Sequence, residues 1–210
     1  MMKDHKKITT ESYNSTVGEY IKNTDGMHQA KNSRKFISLL DKNSLILDLG
    51  CGPGRDARIF TDKGFKVIGV DLSENMIKAA KKRVKNAEFK VMDICRLDFK
   101  DNYFDGIWAS ASFVHIPKNE IPKALKEARR VLKEKGIFYL SVKEGKGEVL
   151  EPDRRYGGVE KFWSFFKQEE IKEMLKKTGF DIIETYINKP DGLYATNPWI
   201  NIFCQKFNQK

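Results

Sequence analysis

Cysteine is scarce in this chain. The three present, Cys51, Cys95 and Cys204, lie far apart and are odd in number, so neither a CxxC pair nor a disulfide framework can be built, and a reducing, cytoplasmic setting is expected. No apolar run approaches the length of a membrane span. The charged start, Met1-Met2-Lys3-Asp4-His5-Lys6-Lys7, leads into no hydrophobic segment, so a signal peptide is not expected either. No His/Cys cluster suggests a metal. Arginine is short as well, at nine of 39 basic residues, although arginine is the better residue for bidentate phosphate contacts. The net charge of +10 is carried by lysines such as Lys78, Lys81, Lys82, Lys85, Lys123, Lys126, Lys133 and Lys135. These alternate with glutamates over several amphipathic segments, the pattern of solvated helix faces rather than of one nucleic-acid stripe. RNA or an anionic surface stays open as the alternative partner. With 210 residues, 40% of them apolar, and no internal repeat, the chain has the length for one domain with a real core.

One stretch carries more information than the totals. Ile46-Leu47-Asp48-Leu49-Gly50-Cys51-Gly52-Pro53-Gly54-Arg55-Asp56 is an apolar strand pattern that runs through an acidic residue into three alternating glycines and then into a helical pattern. The glycines lack the Cβ atoms that would keep a ligand from the backbone. The following helix aims its unpaired N–H groups at the same place. The stretch therefore reads as a nucleotide-like cofactor site at the carboxyl end of a first strand.

The rest of the chain alternates strands and helices. Residues 1–24 carry Ile8, Tyr13, Val17, Tyr20 and Ile21 at near-helical spacing, which predicts one or two amphipathic helices over the main body. A helix is expected over 29–40, another from Asp56 to Lys63 stopped at Gly64, and a third over Glu74–Val84 capped by Ser73. Pro117 and Asn119 introduce a fourth helix, through Ile121, Leu125, Ala128 and Val131, expected to end at Gly136. The last covers Gln168–Lys177. Strands are expected at 46–49, Phe65–Val70, Glu88–Met92, Phe104–Ala109, Ile137–Val142, Phe180–Ile187 and Trp199–Lys206. The short loop with Pro190, Asp191 and Gly192 has no room for a crossover helix, so the final two strands should be antiparallel neighbours. The whole implies a mostly parallel α/β sheet covered on both faces. Lys143–Tyr156 reads as a polar, glycine-bearing connection long enough to be functional.

Asp48, Asp71 and Asp93 fall at the ends of successive strands, which in a parallel sheet share one rim. Asp71 is spaced to accept hydrogen bonds from vicinal ribose hydroxyls. Asp93 could accept from the exocyclic amine of a base, and Asp48 would welcome a cationic amino group. Together with Val67-Ile68-Gly69-Val70-Asp71-Leu72-Ser73, Val91-Met92-Asp93-Ile94 and Phe104-Asp105-Gly106-Ile107-Trp108-Ala109, the glycine stretch closely resembles the Rossmann-like S-adenosylmethionine-dependent methyltransferases. The resemblance runs in order over residues 30–187. It implies a seven-stranded sheet of order 3-2-1-4-5-7-6 with the last strand antiparallel, helices on both faces and an N-terminal helical lid. The chain would be a single domain, with the lid at 1–40, the core at 41–210 and a substrate-side insertion at 143–166. The rival cofactor, a dinucleotide, wants a glycine where Arg55 stands.

The resemblance also implies a donor site. The loop with Asp48, Gly50, Cys51, Gly52 and Gly54 would hold the methionine moiety of S-adenosylmethionine, which leaves as S-adenosylhomocysteine. Asp71, with Leu72 and Met76, would hold the ribose side, Asp93 and Ile94 the adenine, and Ala109 and Ser110 would flank the methionine end. His115 is the candidate base, its ordinary pKa suiting proton removal near neutrality, or else a histidine shaping the loop. Tyr13 and Tyr20 would contact the acceptor or staple the lid. Arg154, Arg155, Tyr156 and Trp163 would wall an acceptor pocket for an apolar or aromatic molecule bearing an anionic group, or form a satellite core. No N/D-P-P-Y/F/W and no Pro-Cys follows the fourth strand, where Ala109-Ser110-Ala111-Ser112 stands, so a small-molecule acceptor is expected. The alternatives are an RNA- or protein-modifying methyltransferase and a non-catalytic donor-binding regulator. Oligomeric state is not readable.

Overall fold

Short apolar runs bounded by glycine or charge form the frame that seats the site. In the computed structural model, which describes residues 5–26, 30–189 and 197–207, the strands are β1 (Leu45–Leu49), β2 (Lys66–Asp71), β3 (Glu88–Val91), β4 (Phe104–Ser110), β5 (Leu132–Lys143), β6 (Glu148–Asp153), β7 (Val159–Ser164), β8 (Phe180–Asn188) and β9 (Trp199–Lys206). Seven make one sheet in the order β3-β2-β1-β4-β5-β9-β8, and β6 and β7 pair separately. β1 to β5 are mutually parallel, while β9 runs antiparallel to both β5 and β8. This is the expected 3-2-1-4-5-7-6 order once the hairpin strands are left out of the numbering.

The helices are α1 (His5–Ser15), α2 (Val17–Thr24), α3 (Ala30–Ser38), α4 (Arg55–Asp62), α5 (Glu74–Arg83), α6 (Ile121–Val131) and α7 (Gln168–Lys177). Side chains alternate across each strand. Leu47, Leu49, Ile107, Phe138 and Leu140 therefore pack against Leu125, Val131, Ile171 and Leu175 of α6 and α7. Ile46, Trp108, Tyr139 and Phe203 pack against Phe36, Ala57, Phe60, Ile77 and Ala80 of α3, α4 and α5. Trp108 stacks on Tyr139 at 4.0 Å and its indole N–H donates to Asp56 Oδ2 at 2.8 Å. Trp108→Phe removes one buried donor from that carboxylate, which Arg55 still holds through both oxygens at 2.7 and 3.0 Å. It is expected to cost about 1–3 kcal/mol, read as a lower urea midpoint at an unchanged slope.

Three expectations are corrected. The helix read as running to Gly136 stops at Val131, because Leu132 already pairs with Phe104 and opens β5. Lys135 is left-handed, with φ 62°, and a Cβ on Gly136 would meet the Leu132 side chain at 2.6 Å, so the chain folds tightly on itself there. The polar connection after β5 contains β6, paired with β7. Glu148, Glu151 and Pro152 hide its alternation, and Gly157 and Gly158, at φ 71° and 79°, supply the left-handed turn. The most buried residues of α1 are Thr9 and Ser12 rather than Ile8 and Tyr13, and His5 stacked on Phe162 at 4.5 Å adds ring packing to its docking. The loop read at Pro190–Gly192 lies outside the described residues. Among the described residues, no helix is long and apolar enough to cross a membrane, and no group of His, Cys, Asp and Glu could hold a metal.

Candidate functional site

The carboxyl ends of β1, β2, β3 and β4 open into a cleft enclosing about 790 Å³ of empty space, part of it open to solvent. Its floor is the glycine loop. The N–H groups of Gly50 and Cys51 both donate to the Val70 carbonyl, at 2.8 and 3.0 Å, pinning the loop against β2. Gly50 and Gly52 have φ of 71° and 51°. A Cβ on Gly50 would lie 2.4 Å from that of Ser112, so the loop and the segment after β4 touch through that missing side chain. A Cβ on Gly52 would meet nothing nearer than Tyr20 at 3.7 Å, so this backbone is open to the cleft. Gly54 has a different reason, since its α-hydrogen faces Val84 and Phe89.

Asp71 sits at the end of β2 with one carboxylate oxygen accepting from Gly52 N at 2.9 Å and the other from Ser73 N at 2.8 Å. Burial pushes its pKa up, and the backbone donors pull it back. Leu72, Met76, Met92 and Ile94 give the neighbouring wall an apolar surface. Asp93 accepts from Cys95 N and from Lys6 Nζ, at 2.8 and 2.9 Å. Although burial opposes it, these partners hold the carboxyl below its usual range.

α1 roofs the cleft and is tied down on three sides. Lys6 bridges Asp93 and Glu120, the latter at 2.6 Å. Asn14 Oδ1 accepts from Ser73 Oγ at 2.7 Å, and Asn14 O accepts from Asn75 Nδ2 at 3.0 Å. Thr9 Oγ1 accepts from Phe162 N at 3.1 Å. α2 adds the Asp25–Arg83 ion pair and stacks Tyr20 on Tyr156.

Beneath this roof, Tyr13 Oη lies 2.8 Å from His115 Nε2, and His115 Nδ1 lies 2.8 Å from the Phe162 carbonyl. A carbonyl only accepts, so Nδ1 carries the hydrogen and Nε2 accepts from Tyr13. Burial, aided by the positive charges of Lys161 and Lys143, pushes the His115 pKa down to about 3. The sign of the stability effect follows. Between an ordinary pKa of 6.5 and about 3, the unfolded chain binds a proton here that the folded chain refuses, so stability is lost as pH falls below 6.5. His115→Gln is expected to flatten the decline of the urea midpoint between pH 7 and 4.

Residues 46–136 match the model of the methyltransferase domain family. The chain is 36% identical over 168 residues to a demethylmenaquinone methyltransferase of Thermotoga maritima, covering 65% of this chain and 70% of that protein. It is 29% identical over 204 residues to a ubiquinone/menaquinone biosynthesis C-methyltransferase of Rickettsia prowazekii, covering 81% of each. The chain is an S-adenosylmethionine-dependent methyltransferase of the Rossmann-like class. Its fold is shared by solved structures at lower identity. A methyltransferase of Methanosarcina mazei superposes with a TM-score of 0.76 at 24% identity, covering 82% of this chain and 97% of that one. The 1,6-didemethyltoxoflavin-N1-methyltransferase of Burkholderia thailandensis superposes with 0.77 at 21% identity, covering 96% and 88%.

The cleft suits the methyl donor of this family. An open Gly52 backbone, a carboxylate at the end of β2 and an apolar wall beyond it match an amino-acid end, a ribose and a base in that order. Of the residues read for the donor in this methyltransferase, Gly50, Gly52, Asp71, Leu72, Met76, Asp93, Ile94 and Ser110 line the cleft. Asp48, Cys51, Gly54 and Ala109 do not line it. Asp48 shares a strand face with Ile46 and is buried beneath α4, and burial beside Asp56 raises its pKa well above the carboxylate range. Cys51 and Ala109 pack in the two cores. Tyr13, Tyr20 and His115 line the cleft, whereas Arg154, Arg155, Tyr156 and Trp163 lie behind it in the hairpin. Arg154 is exposed.

Sequence reasoning did not assign Lys6, Thr9, Thr10, Ser73, Met92, Ala111, Ser112 and Ile116 to the lining. It also missed three buried lysines, Lys143, Lys161 and Lys206. Lys6 sits in a polar run without a motif. Lys161 lies in β7, whose last four residues are all buried, so no alternation marks it.

Proposed function

We propose that this methyltransferase acts on a small molecule whose methyl-accepting atom lies against the Tyr13–His115 pair. Gly50, Gly52, Asp71, Leu72, Met76, Asp93, Ile94 and Ser110 hold the donor in this reading, and residues 1–40 form a lid on a single domain. The observation that carries it is the Tyr13–His115 hydrogen bond, made across the cleft between the lid and the segment after β4. The relatives named for menaquinone and ubiquinone methylation, together with the rings of Tyr13 and Tyr20 that the lid presents to the cleft, favour an aromatic, quinol-type acceptor.

When bound, S-adenosylmethionine supplies a methyl group already activated on a sulfonium, which becomes a neutral thioether. The protein's part is to align the acceptor, exclude water and take a proton where the acceptor carries one. Tyr13 donates its own proton to His115 Nε2 as its oxygen receives one from the acceptor. His115 keeps its Nδ1–H on the Phe162 carbonyl throughout. The imidazolium is costly in this buried place, so it forms as positive charge elsewhere in the cleft is falling.

The test is methyl incorporation from labelled donor into a panel of quinols, phenols and amines, with total RNA in parallel. Incorporation into small aromatic acceptors is expected. Incorporation into RNA alone, or into nothing while the donor binds, would replace this reading with one of the alternatives.

A further inference from the structure

The β6–β7 hairpin and the end of β5 bring three cations together behind the Tyr13–His115 pair. Lys161 is fully buried, with Nζ 3.3 Å from Asp153 Oδ2, 3.8 Å from the centre of the Tyr156 ring and 4.2 Å from that of Tyr13. Arg155 grips the same Asp153 with two nitrogens at 2.8 Å. Lys143 is 93% buried, at 7% exposure. Its Nζ lies 3.4 Å from the centre of the Trp163 ring, with the Trp199 ring at 6.0 Å. Among the described residues this ammonium has neither a carboxylate nor a hydrogen-bond acceptor; its facing carboxylates act at longer range, Asp153 already shared by two cations and Glu151 on the exposed face of β6. Crowding by Arg155 and Lys161, after burial itself, lowers the Lys143 pKa to about 8. A buried ammonium without an anion is costly, and the rings offset part of that cost.

The place of this charge is informative. Lys143 follows Ser141 by two residues on β5, and Ser141 Oγ accepts from Ala111 N at the cleft wall, at 3.0 Å. Trp163, beneath Lys143, packs on the His115 ring at 4.6 Å. The surplus positive charge thus lies behind the acceptor side of the cleft, one ring (Trp163) away from His115, and away from the adenine end at Asp93.

We propose that Lys143, with Arg155 and Lys161 behind it, forms an anion subsite that binds a carboxylate or phosphate borne by an aromatic methyl acceptor. The inference rests on the small-molecule reading above. It assigns Lys143 to acceptor selection and predicts that uncharged analogues of the acceptor are poor ligands.

The test uses benzoate, phenyl phosphate and neutral benzamide, titrated against the full chain in the presence of S-adenosylhomocysteine. Binding is read by tryptophan fluorescence, since Trp163 and Trp199 flank the ammonium. Benzoate or phenyl phosphate should bind about tenfold or more tightly than benzamide, the worth of one charge-assisted hydrogen bond; which of the two binds better identifies the anion. Lys143→Met should abolish the preference without lowering the melting temperature, Lys143→Arg should retain it, and both should keep the wild-type donor affinity. Equal binding of all three probes, binding of none, or a preference that survives in Lys143→Met would overturn the subsite. Methyl incorporation into uncharged aromatics only would overturn it and leave the small-molecule reading standing. Incorporation into RNA alone would overturn both.

Discussion

Asp71→Ala is expected to weaken S-adenosylmethionine binding by roughly 3 kcal/mol, about a hundredfold in Kd, the scale of two hydrogen bonds to a charged acceptor. The same change should also lower stability. In the folded chain the two oxygens of this carboxylate already accept from Gly52 N and Ser73 N. Each is a partly buried donor that would lose its acceptor, at a cost of about 1–3 kcal/mol. The residue therefore sets the glycine loop against the start of α5 before any ligand arrives. Asp71→Asn keeps one acceptor and should fall between wild type and alanine in both quantities. Calorimetric titration with the donor, beside urea unfolding without it, checks this. An unchanged Kd would remove Asp71 from the donor site.

Tyr13→Phe should show the opposite division. The ring keeps its edge contact with Tyr20 at 5.6 Å and its place beneath the Lys161 ammonium, so the lid and donor affinity are expected to persist. What is lost is the hydroxyl between the acceptor and His115 Nε2. For an acceptor that must release a proton, kcat should fall by about 10²–10⁴-fold, the usual worth of a positioned acid–base group. His115→Gln should fall within the same range, and the double variant no further than the worse single, because the two act as one unit. A kcat unchanged in Tyr13→Phe, with donor affinity lost instead, would make the pair a clasp for the lid.

The contrast between these residues explains how far the sequence could be read. Asp71 was legible because strand, turn and helix patterns converge on it, and local backbone geometry alone places it. Asp48 shares the same motif but does not line the cleft. Strand alternation turns it under α4 with Ile46, and that direction decides between a ligand and a core position. The Tyr13–His115 pair joins residues 102 apart, so each was visible as a candidate and their meeting was not. Lys143 and Lys161 were unreadable for a further reason. In a chain with 39 basic residues a lysine signals solvent, and nothing local marks the few that the hairpin folds inward. The hairpin itself escaped because its outer strand is dominated by charge and proline.

The central claim is that one cleft, roofed by α1, seats the donor with its reactive sulfur toward Tyr13 and His115. Its most direct test is a crystal structure of the chain with S-adenosylhomocysteine bound. The claim predicts the ribose hydroxyls on Asp71, the adenine between Leu72 and Ile94, and the thioether sulfur facing the Tyr13–His115 pair. A ligand seated elsewhere, or one in this cleft with its sulfur turned away from that pair, would contradict it.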